Sequence, residues 1–126
     1  MSIHYDLSDS LVKEKLAVLP EKMLEWAEAV LLERAQYMRD IAQVLVRVDT
    51  GSLRDSIRVE RGGVGLAWRL IRVRAGGYVT NPKTGLLVNY AVFVEKYYPY
   101  MRPAFLEVQP SIADMIKAKV VEKANE

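Results

Sequence analysis

One run of apolar residues restricts the possible folds of this chain more than any other feature. From residue 20 to residue 47, apolar side chains recur at steps of three and four, which is the spacing of one face of an α-helix. They are Leu24, Ala27, Leu31, Ala35, Met38, Ile41 and Leu45. At about 1.5 Å per residue, this helix spans roughly 40 Å. That is long for a chain of 126 residues.

The residues before this helix predict a short helix after a poorly ordered terminus. Ser8 or Asp9 can cap a short helix within residues 1–19, and Pro20 suits the first turn of the long helix that follows. His4 is the only histidine of the chain, and we expect it to lie in a poorly ordered terminal segment.

After Thr50-Gly51 the apolar period changes from 3.6 to 2, which predicts a β-sheet over residues 53–89. A first strand over 53–61 is followed by a glycine-rich turn at 62–65 and a second strand over 66–74. The alternation slips between Leu70 and Ile71, so we expect either a bulge there or a strand covered on both faces. A short further strand is possible at 86–89.

The last third of the chain contains an ambiguous segment and a closing helix. Residues 90–97 have strand propensity, yet their apolar residues also fit one helical face. Pro103 can open a helix over 103–124, which Pro110 should kink or delay. The chain therefore predicts a single α+β domain over 1–126. Its long N-terminal helix packs on a small antiparallel β-sheet, and a C-terminal helix closes the fold.

Composition excludes several classes of function. The chain has no cysteine, so it can form no disulfide, no thiolate metal site and no cysteine nucleophile. It contains no H-E-x-x-H, D-x-D or Walker-type phosphate motif. We therefore predict no enzymatic activity, no catalytic residue, no cofactor and no metal. No apolar run reaches the length of a membrane span, and the N-terminus lacks the features of a signal peptide.

Arginines are concentrated in the predicted hairpin. One explanation is a solvated strand face that protects the sheet edge, which we favour. The other is a positive strip that contacts DNA phosphates in a channel or in a complex. The net charge of +2 is too small to indicate nucleic-acid binding by itself. The candidate DNA contacts are Arg54, Arg58, Arg69, Arg72 and Arg74.

Aromatic residues crowd into the segment 90–105. Tyrosine and methionine are frequent at protein–protein interfaces, because an aromatic ring with a polar tip tolerates partial burial. The same residues could equally cover the closing helix as part of the core. The candidate interface consists of Tyr97, Tyr98, Tyr100 and Met101.

Three motifs in order resemble a family of small tail-component or neck proteins of long-tailed bacteriophages. They are V-D-T-G-S-L-R-D-S-I at 48–57, Y-A-V-F-V-E at 90–95 and R-P-A at 102–104, and the resemblance spans roughly residues 20–124. The motif residues are Asp49, Thr50, Gly51, Leu53, Ser56, Tyr90, Glu95, Arg102 and Pro103. Their chemistry suits turns and helix ends, not catalysis. The resemblance favours a helix over residues 90–97. Relatives often continue with Gly-Thr where this chain has Lys96-Tyr97-Tyr98.

This resemblance implies a non-enzymatic virion assembly protein of the neck, or head–tail connector, which joins or completes the tail at the head. It implies a homo-oligomeric ring, formed alone or on a template, with head-connector and tail proteins as neighbours and DNA in the channel as a possible non-specific contact. Such a protein is assembled in the bacterial host cytoplasm and is located at the head–tail junction, with no membrane partner. We expect the tyrosine-rich segment and the exposed side of the long helix to form contacts. The alternatives are a tail-terminator or head-closure ring subunit, or a small nucleic-acid-binding module that uses the arginine hairpin.

Overall fold

The computed structural model describes residues 2–7, 10–17, 19–46, 51–62, 70–77, 83 and 91–125. The helices in these residues are α1 (Ser10–Ala17), α2 (Glu21–Leu45), α3 (Ser52–Ser56), α4 (Ala91–Tyr97), α5 (Met101–Val108) and α6 (Ile112–Ala124). A 3-10 turn at Gln109–Ser111 separates α5 from α6. The strands are β1 (Ile3–Asp6), β2 (Arg58–Gly62) and β3 (Leu70–Ala75). The predicted α+β fold, with a long helix, an antiparallel sheet and a helical C-terminus, is confirmed.

Helix α2 is the axis on which the other elements pack. It begins after Pro20, whose carbonyl accepts the N–H groups of Met23 and Leu24 at 2.9 and 3.1 Å. Its buried face contains three alanines, which allow neighbouring elements to approach closely. The buried residues of this face are Ala27, Val30, Leu31, Ala35, Met38 and Ala42. Helices α5 and α6 and strands β2 and β3 all contact α2. Leu45, predicted to lie on the buried face, is exposed, because Ala42 and Val46 occupy the core at this end of the helix.

The strands form an antiparallel sheet in the order β1-β3-β2. The apolar side chains of β3 are buried in the core that α2 also lines, namely Ile71, Val73 and Ala75. Its alternate residues, Arg72 and Arg74, lie on the opposite face. The pairing with β2 continues without interruption from Leu70 to Arg74, so the bulge expected near residues 70–71 is not formed.

Strand β1 was not predicted, and it corrects our expectation for the N-terminal segment. Residues 3–6 pair with β3, and His4 lies opposite Arg74 instead of in a disordered terminus. This strand has only four residues, and its partner lies about seventy residues further along the chain. Short strands of this kind form because a distant edge offers hydrogen bonds, which local sequence does not reveal. The predicted short helix before Pro20 is present as α1.

The predicted first strand is also partly wrong. Residues 52–56 form helix α3, and β2 begins only at Arg58. Leu53 and Ile57 are four residues apart, which fits a helix as well as an alternating strand. Arg54 therefore lies on a helix and does not share a strand face with Arg58. The expected turn residues 63–65, the start of the second strand at 66–69, and the possible strand at 86–89 lie outside the described residues.

The C-terminal part follows the helical interpretation. Residues 91–97 form α4, as the family resemblance indicated. Pro110 interrupts the closing helix as expected. It lies in the 3-10 turn between α5 and α6, because proline lacks the backbone N–H that a continuous α-helix needs. Val108, Ile112 and Ile116 of this C-terminal part are buried in the core. Pro103 is the third residue of α5, which begins two residues earlier than expected.

Candidate functional site

The first motif forms a structural joint at the base of the hairpin. Gly51 has a φ of +85°, a left-handed conformation that strains other residues, and its carbonyl accepts the N–H of Asp55 at 2.9 Å. The hydroxyl of Ser56 donates to the Leu53 carbonyl at 2.6 Å and accepts the N–H of Gly76 at 2.8 Å. Ser56 is fully buried, and Leu53 is buried beside it. The motif therefore connects α3 to the end of β3; Asp49 and Thr50 lie outside the described residues.

Replacing Ser56 with alanine is expected to lower the free energy of unfolding by about 1–3 kcal/mol, because the N–H of Gly76 is left buried without its acceptor. The measurement is the urea midpoint and slope. Ser111→Ala is the matched control, since its half-buried hydroxyl makes only local bonds, to the Val108 carbonyl and to the Met115 sulfur. Equal shifts of the urea midpoint for Ser56→Ala and Ser111→Ala would contradict the proposed structural role of the Ser56 hydroxyl.

Glu95, the last residue of the second motif, caps the following helix. Its carboxylate accepts the backbone N–H groups of Tyr100 at 3.1 Å, Met101 at 2.9 Å and Arg102 at 2.8 Å. These groups belong to the N-terminus of α5, where N–H groups lack partners within the helix. The hydroxyl of Tyr100 donates back to the Ala91 carbonyl at 3.2 Å. The second and third motifs are thus joined by hydrogen bonds. Tyr90 lies outside the described residues.

Tyr5 connects the sheet to this capped helix. Its ring contacts that of Phe105, with 4.9 Å between the ring centroids. Burial raises the pKa of the Tyr5 hydroxyl above its ordinary value; the charge of Glu95 raises it further, and Arg102 partly opposes the shift. Tyr5 therefore stays protonated at neutral pH and serves as an aromatic contact.

The candidate interface divides into two parts. Tyr100 and Met101 are fully buried, so for them the core alternative holds within this chain. Tyr97 and Tyr98 remain 56% and 48% exposed at the end of α4. The ammonium group of Lys96 lies 5.5 Å from the centroid of the Tyr97 ring. The surface part of the predicted interface is therefore Tyr97 and Tyr98, and Lys96 lies beside them.

The structure brings three of the predicted arginines onto the outer face of the sheet. Arg74 and Arg58 both pair with Glu60, at 2.6 and 3.1 Å, and Arg72 pairs with Asp6 at 3.3 Å. The guanidinium of Arg58 also donates to the carbonyls of Ser56 and Gly76. These three side chains are only 22–24% exposed, and much of their positive charge is balanced by the carboxylates of Glu60 and Asp6 within the sheet.

The other two arginines do not join this group. Arg54 lies on α3, where its side chain is 45% exposed and pairs with Asp55 at 3.3 Å. Arg69 lies outside the described residues. Sequence spacing suggested a continuous positive strip because it did not reveal that residues 52–56 are helical.

The ion pairs at Glu60 predict a pH dependence. Burial alone raises the pKa of this carboxyl group, but the hydrogen bond and charge of Arg74 and the charge of Arg58 outweigh it, so the pKa is lowered. The resulting stabilisation is present above the unfolded-state pKa and is lost as pH falls through the folded-state pKa. We expect Glu60→Gln to be less stable than wild type at pH 7 and nearly equal to it at an acidic pH below the folded-state pKa. Urea unfolding at both pH values measures this difference. A constant difference would contradict the role of the ionised group.

A second surface lies at the C-terminal end of α2. Tyr37, Ile41, Val44 and Leu45 line a shallow hollow of about 280 Å³, with Asp40 as the charged group among its described lining residues. Val44 is 84% exposed. Residues 37, 41, 44 and 45 follow helical spacing, so the sequence contained this signal. The sequence prediction names the exposed side of the long helix as a contact surface, but it places Ile41 and Leu45 on the buried face.

The described residues contain neither a metal-binding cluster nor a membrane-spanning helix. Within them, no group of three or more histidine, aspartate or glutamate residues is arranged to hold a metal ion. In the same part of the chain, no helix combines the length and apolar character needed to cross a bilayer.

Comparison with known proteins identifies the family. Residues 11–96, which are more than half of the chain, match the HK97-gp10-like family, described as "Bacteriophage HK97-gp10, putative tail-component". The match contains the joint at Ser56 and ends just after Glu95, while Arg102 and Pro103 lie beyond it. No curated protein and no solved structure matches the chain. The chain belongs to the HK97-gp10-like family of bacteriophage tail components.

Proposed function

We propose that this tail component is a non-enzymatic subunit of the phage neck, which forms a ring at the head–tail junction and joins or completes the tail there. The family membership supports a structural role in the virion and contact with other phage structural proteins. The motif residues within the described part of the chain support it further. Gly51, Ser56 and Glu95 bond to the chain's own backbone and build the fold.

The observation that carries this proposal is the presence of separate apolar surfaces on one small chain. One lies around Val44 at the end of α2, and another lies at Tyr97 and Tyr98 after α4. Exposed apolar patches commonly mark interaction sites. A ring subunit needs two different surfaces, because each neighbour contacts the opposite side of the next copy.

Light scattering over a wide concentration range tests the assembly. A closed multiple of the 14.3 kDa chain, alone or after addition of heads or tails, is the expected result. Separate incubation with isolated heads and isolated tails distinguishes tail completion from the tail-terminator and head-closure alternatives. A protein that stays monomeric and leaves head–tail joining unchanged would contradict the proposal.

Replacing Tyr97 and Tyr98 together with serine is expected to reduce assembly at least tenfold while leaving the chain folded, because both rings are exposed. Assembly is measured by light scattering, and folding by circular dichroism. Val92→Ser with Leu106→Ser is the matched control, since these apolar residues are also exposed. Normal assembly of the tyrosine variant would exclude this segment as a contact.

The ion pairs of the sheet favour the ring over a free nucleic-acid-binding module. A cation contributes to phosphate binding mainly by releasing counterions from the nucleic acid. Arg58, Arg72 and Arg74 already face carboxylates, which weakens their attraction for phosphate. We propose that any DNA contact inside the channel is sequence-independent. Steeply salt-dependent DNA binding by the isolated chain would instead support the module.

A further inference from the structure

We infer that the hollow at the end of α2 receives the Lys96–Tyr97–Tyr98 segment of a second copy of this chain. The inference rests on the proposed function and deepens it, because it names the two surfaces that meet in the ring. Hereafter these surfaces are called the hollow (Tyr37, Asp40, Ile41, Val44 and Leu45) and the tyrosine segment (residues 96–98).

The hollow suits an aromatic side chain with a neighbouring cation. Its walls are almost entirely apolar, and Val44 projects into solvent. At the rim, the Asp40 side chain is 61% exposed; one of its carboxylate oxygens, Oδ1, accepts both hydrogen bonds from Arg39. The Arg39 side chain pairs with Asp40 and also lines the neighbouring groove between α2 and β2, and the Arg34 guanidinium lies 4.6 Å from the centroid of the Tyr37 ring. The hollow therefore presents apolar walls with an exposed carboxylate at its rim that Arg39 bonds through one oxygen.

The tyrosine segment has the complementary features. Tyr97 and Tyr98 are two exposed aromatic rings in succession at the end of α4. The ammonium of Lys96 lies next to the Tyr97 ring, and Arg102 is exposed a few residues further on. The nearby acid, Glu95, has its carboxylate directed to the α5 backbone. The segment thus presents aromatic rings with positive charge.

Charge favours this pairing over pairing of the hollow with itself. A two-fold contact between two hollows would bring two Asp40 carboxylates into the same seam, each bonded through Oδ1 to its own Arg39, and would supply no further cation to either of them. Pairing with the tyrosine segment instead places Lys96 near Asp40. It is also a heterologous contact, which can repeat from copy to copy and close into a ring.

Cysteine cross-linking tests the contact directly, because the natural chain contains no cysteine. Full-length Val44→Cys and Pro99→Cys proteins are mixed and oxidised over a concentration series. These positions leave Asp40, Lys96 and both tyrosines intact, and both are exposed. Mixing Val44→Cys with Val121→Cys, an exposed position on α6, gives the matched control. We expect severalfold more disulfide-linked heterodimer in the first mixture than in the control.

Each outcome decides the inference. Yields equal to the control overturn it, and so does dominant self-linkage of Val44→Cys, which would indicate hollow-to-hollow pairing. Exchanging the charges of Asp40 and Lys96 tests whether the attraction between these two side chains contributes to the contact. Asp40→Lys in the Val44→Cys protein should reduce heterodimer yield, and Lys96→Asp in the Pro99→Cys protein should restore it.

The wild-type assembly measurement separates this inference from the proposed function. If wild type forms rings or joins tails while the cysteine pair gives only control yields, the surfaces are wrong and the function stands. If the pair cross-links specifically but wild type neither assembles nor joins tails, the contact stands and the neck role fails.

Discussion

Replacing Tyr100 with alanine is expected to lower the free energy of unfolding by about 3–5 kcal/mol, because removal of a fully buried aromatic side chain leaves a cavity in the core. The hydrogen bond from the Tyr100 hydroxyl to the Ala91 carbonyl is lost as well. Total stability of a domain is only about 5–15 kcal/mol, so the variant should be marginally folded at 37 °C. Urea unfolding followed by circular dichroism measures the loss.

Two variants make this prediction specific. Tyr98→Ala truncates the same residue type two positions earlier, where the side chain is exposed, and should change stability by about 0.5 kcal/mol or less. Tyr100→Phe keeps the ring and removes only the hydroxyl, so a loss of about 1 kcal/mol is expected. If Tyr98→Ala were as destabilising as Tyr100→Ala, the assignment of Tyr100 to the core and Tyr98 to the surface would be wrong.

Replacing Glu95 with glutamine is expected to cost about 2–3 kcal/mol. One carboxylate accepts N–H groups from three consecutive residues at the start of α5, and bonds to a charged acceptor are the stronger kind. The negative charge also interacts favourably with the positive end of the helix dipole. A glutamine has one carbonyl oxygen and no charge, so it cannot replace the full set. The thermal midpoint and the urea midpoint should both fall.

Glu107→Gln is the matched control, because Glu107 is exposed on the same helix. It should leave the free energy of unfolding within about 0.5 kcal/mol of wild type. Glu95→Asp provides a second comparison, since it keeps the charge but shortens the reach, and it should fall between wild type and Glu95→Gln. Equal effects of Glu95→Gln and Glu107→Gln would show that the cap contributes nothing to stability.

The elements that could be predicted from sequence are those whose signal is local and repeated. Helix α2 has many turns of apolar residues in one register, and Pro20 marks its start. Pro110 acts through its own missing N–H, so its effect on the closing helix does not depend on distant contacts. These features have physical causes that are contained within a few neighbouring residues.

The elements that were missed depend on distant partners or on ambiguous spacing. Strand β1 forms because β3 offers an edge, and no local pattern in residues 3–6 reports this. Helix α3 was predicted as strand because Leu53 and Ile57 satisfy both periods. Ser56 lies three residues after Leu53 and is buried with it, which fits a helix and not an alternating strand. The sequence does not reveal this burial, because it depends on the hydrogen bond that the Gly76 N–H donates to Ser56 across the hairpin.

The candidate site could be predicted only in outline for the same reason. The tyrosine-rich segment and the exposed side of α2 were both named, yet sequence does not separate buried Tyr100 from exposed Tyr98. The separation depends on where α4 ends and on the turn that Glu95 stabilises before α5. The arginines differ likewise, because cross-strand neighbours such as Glu60 are fixed by strand register.

The cap formed by Glu95 has a consequence for how this chain can evolve. Its carboxylate recognises backbone N–H groups, which every amino acid except proline possesses. Tyr100 and Met101 are held by their burial, but the exposed side chain at position 102 can diversify while the connection between α4 and α5 persists. The next residue, at position 103, is a proline, which has no backbone N–H, and it lies just after the three residues whose N–H groups the carboxylate accepts. A change of partner could thus be accommodated in the exposed side chains of this region without redesign of the joint beneath them.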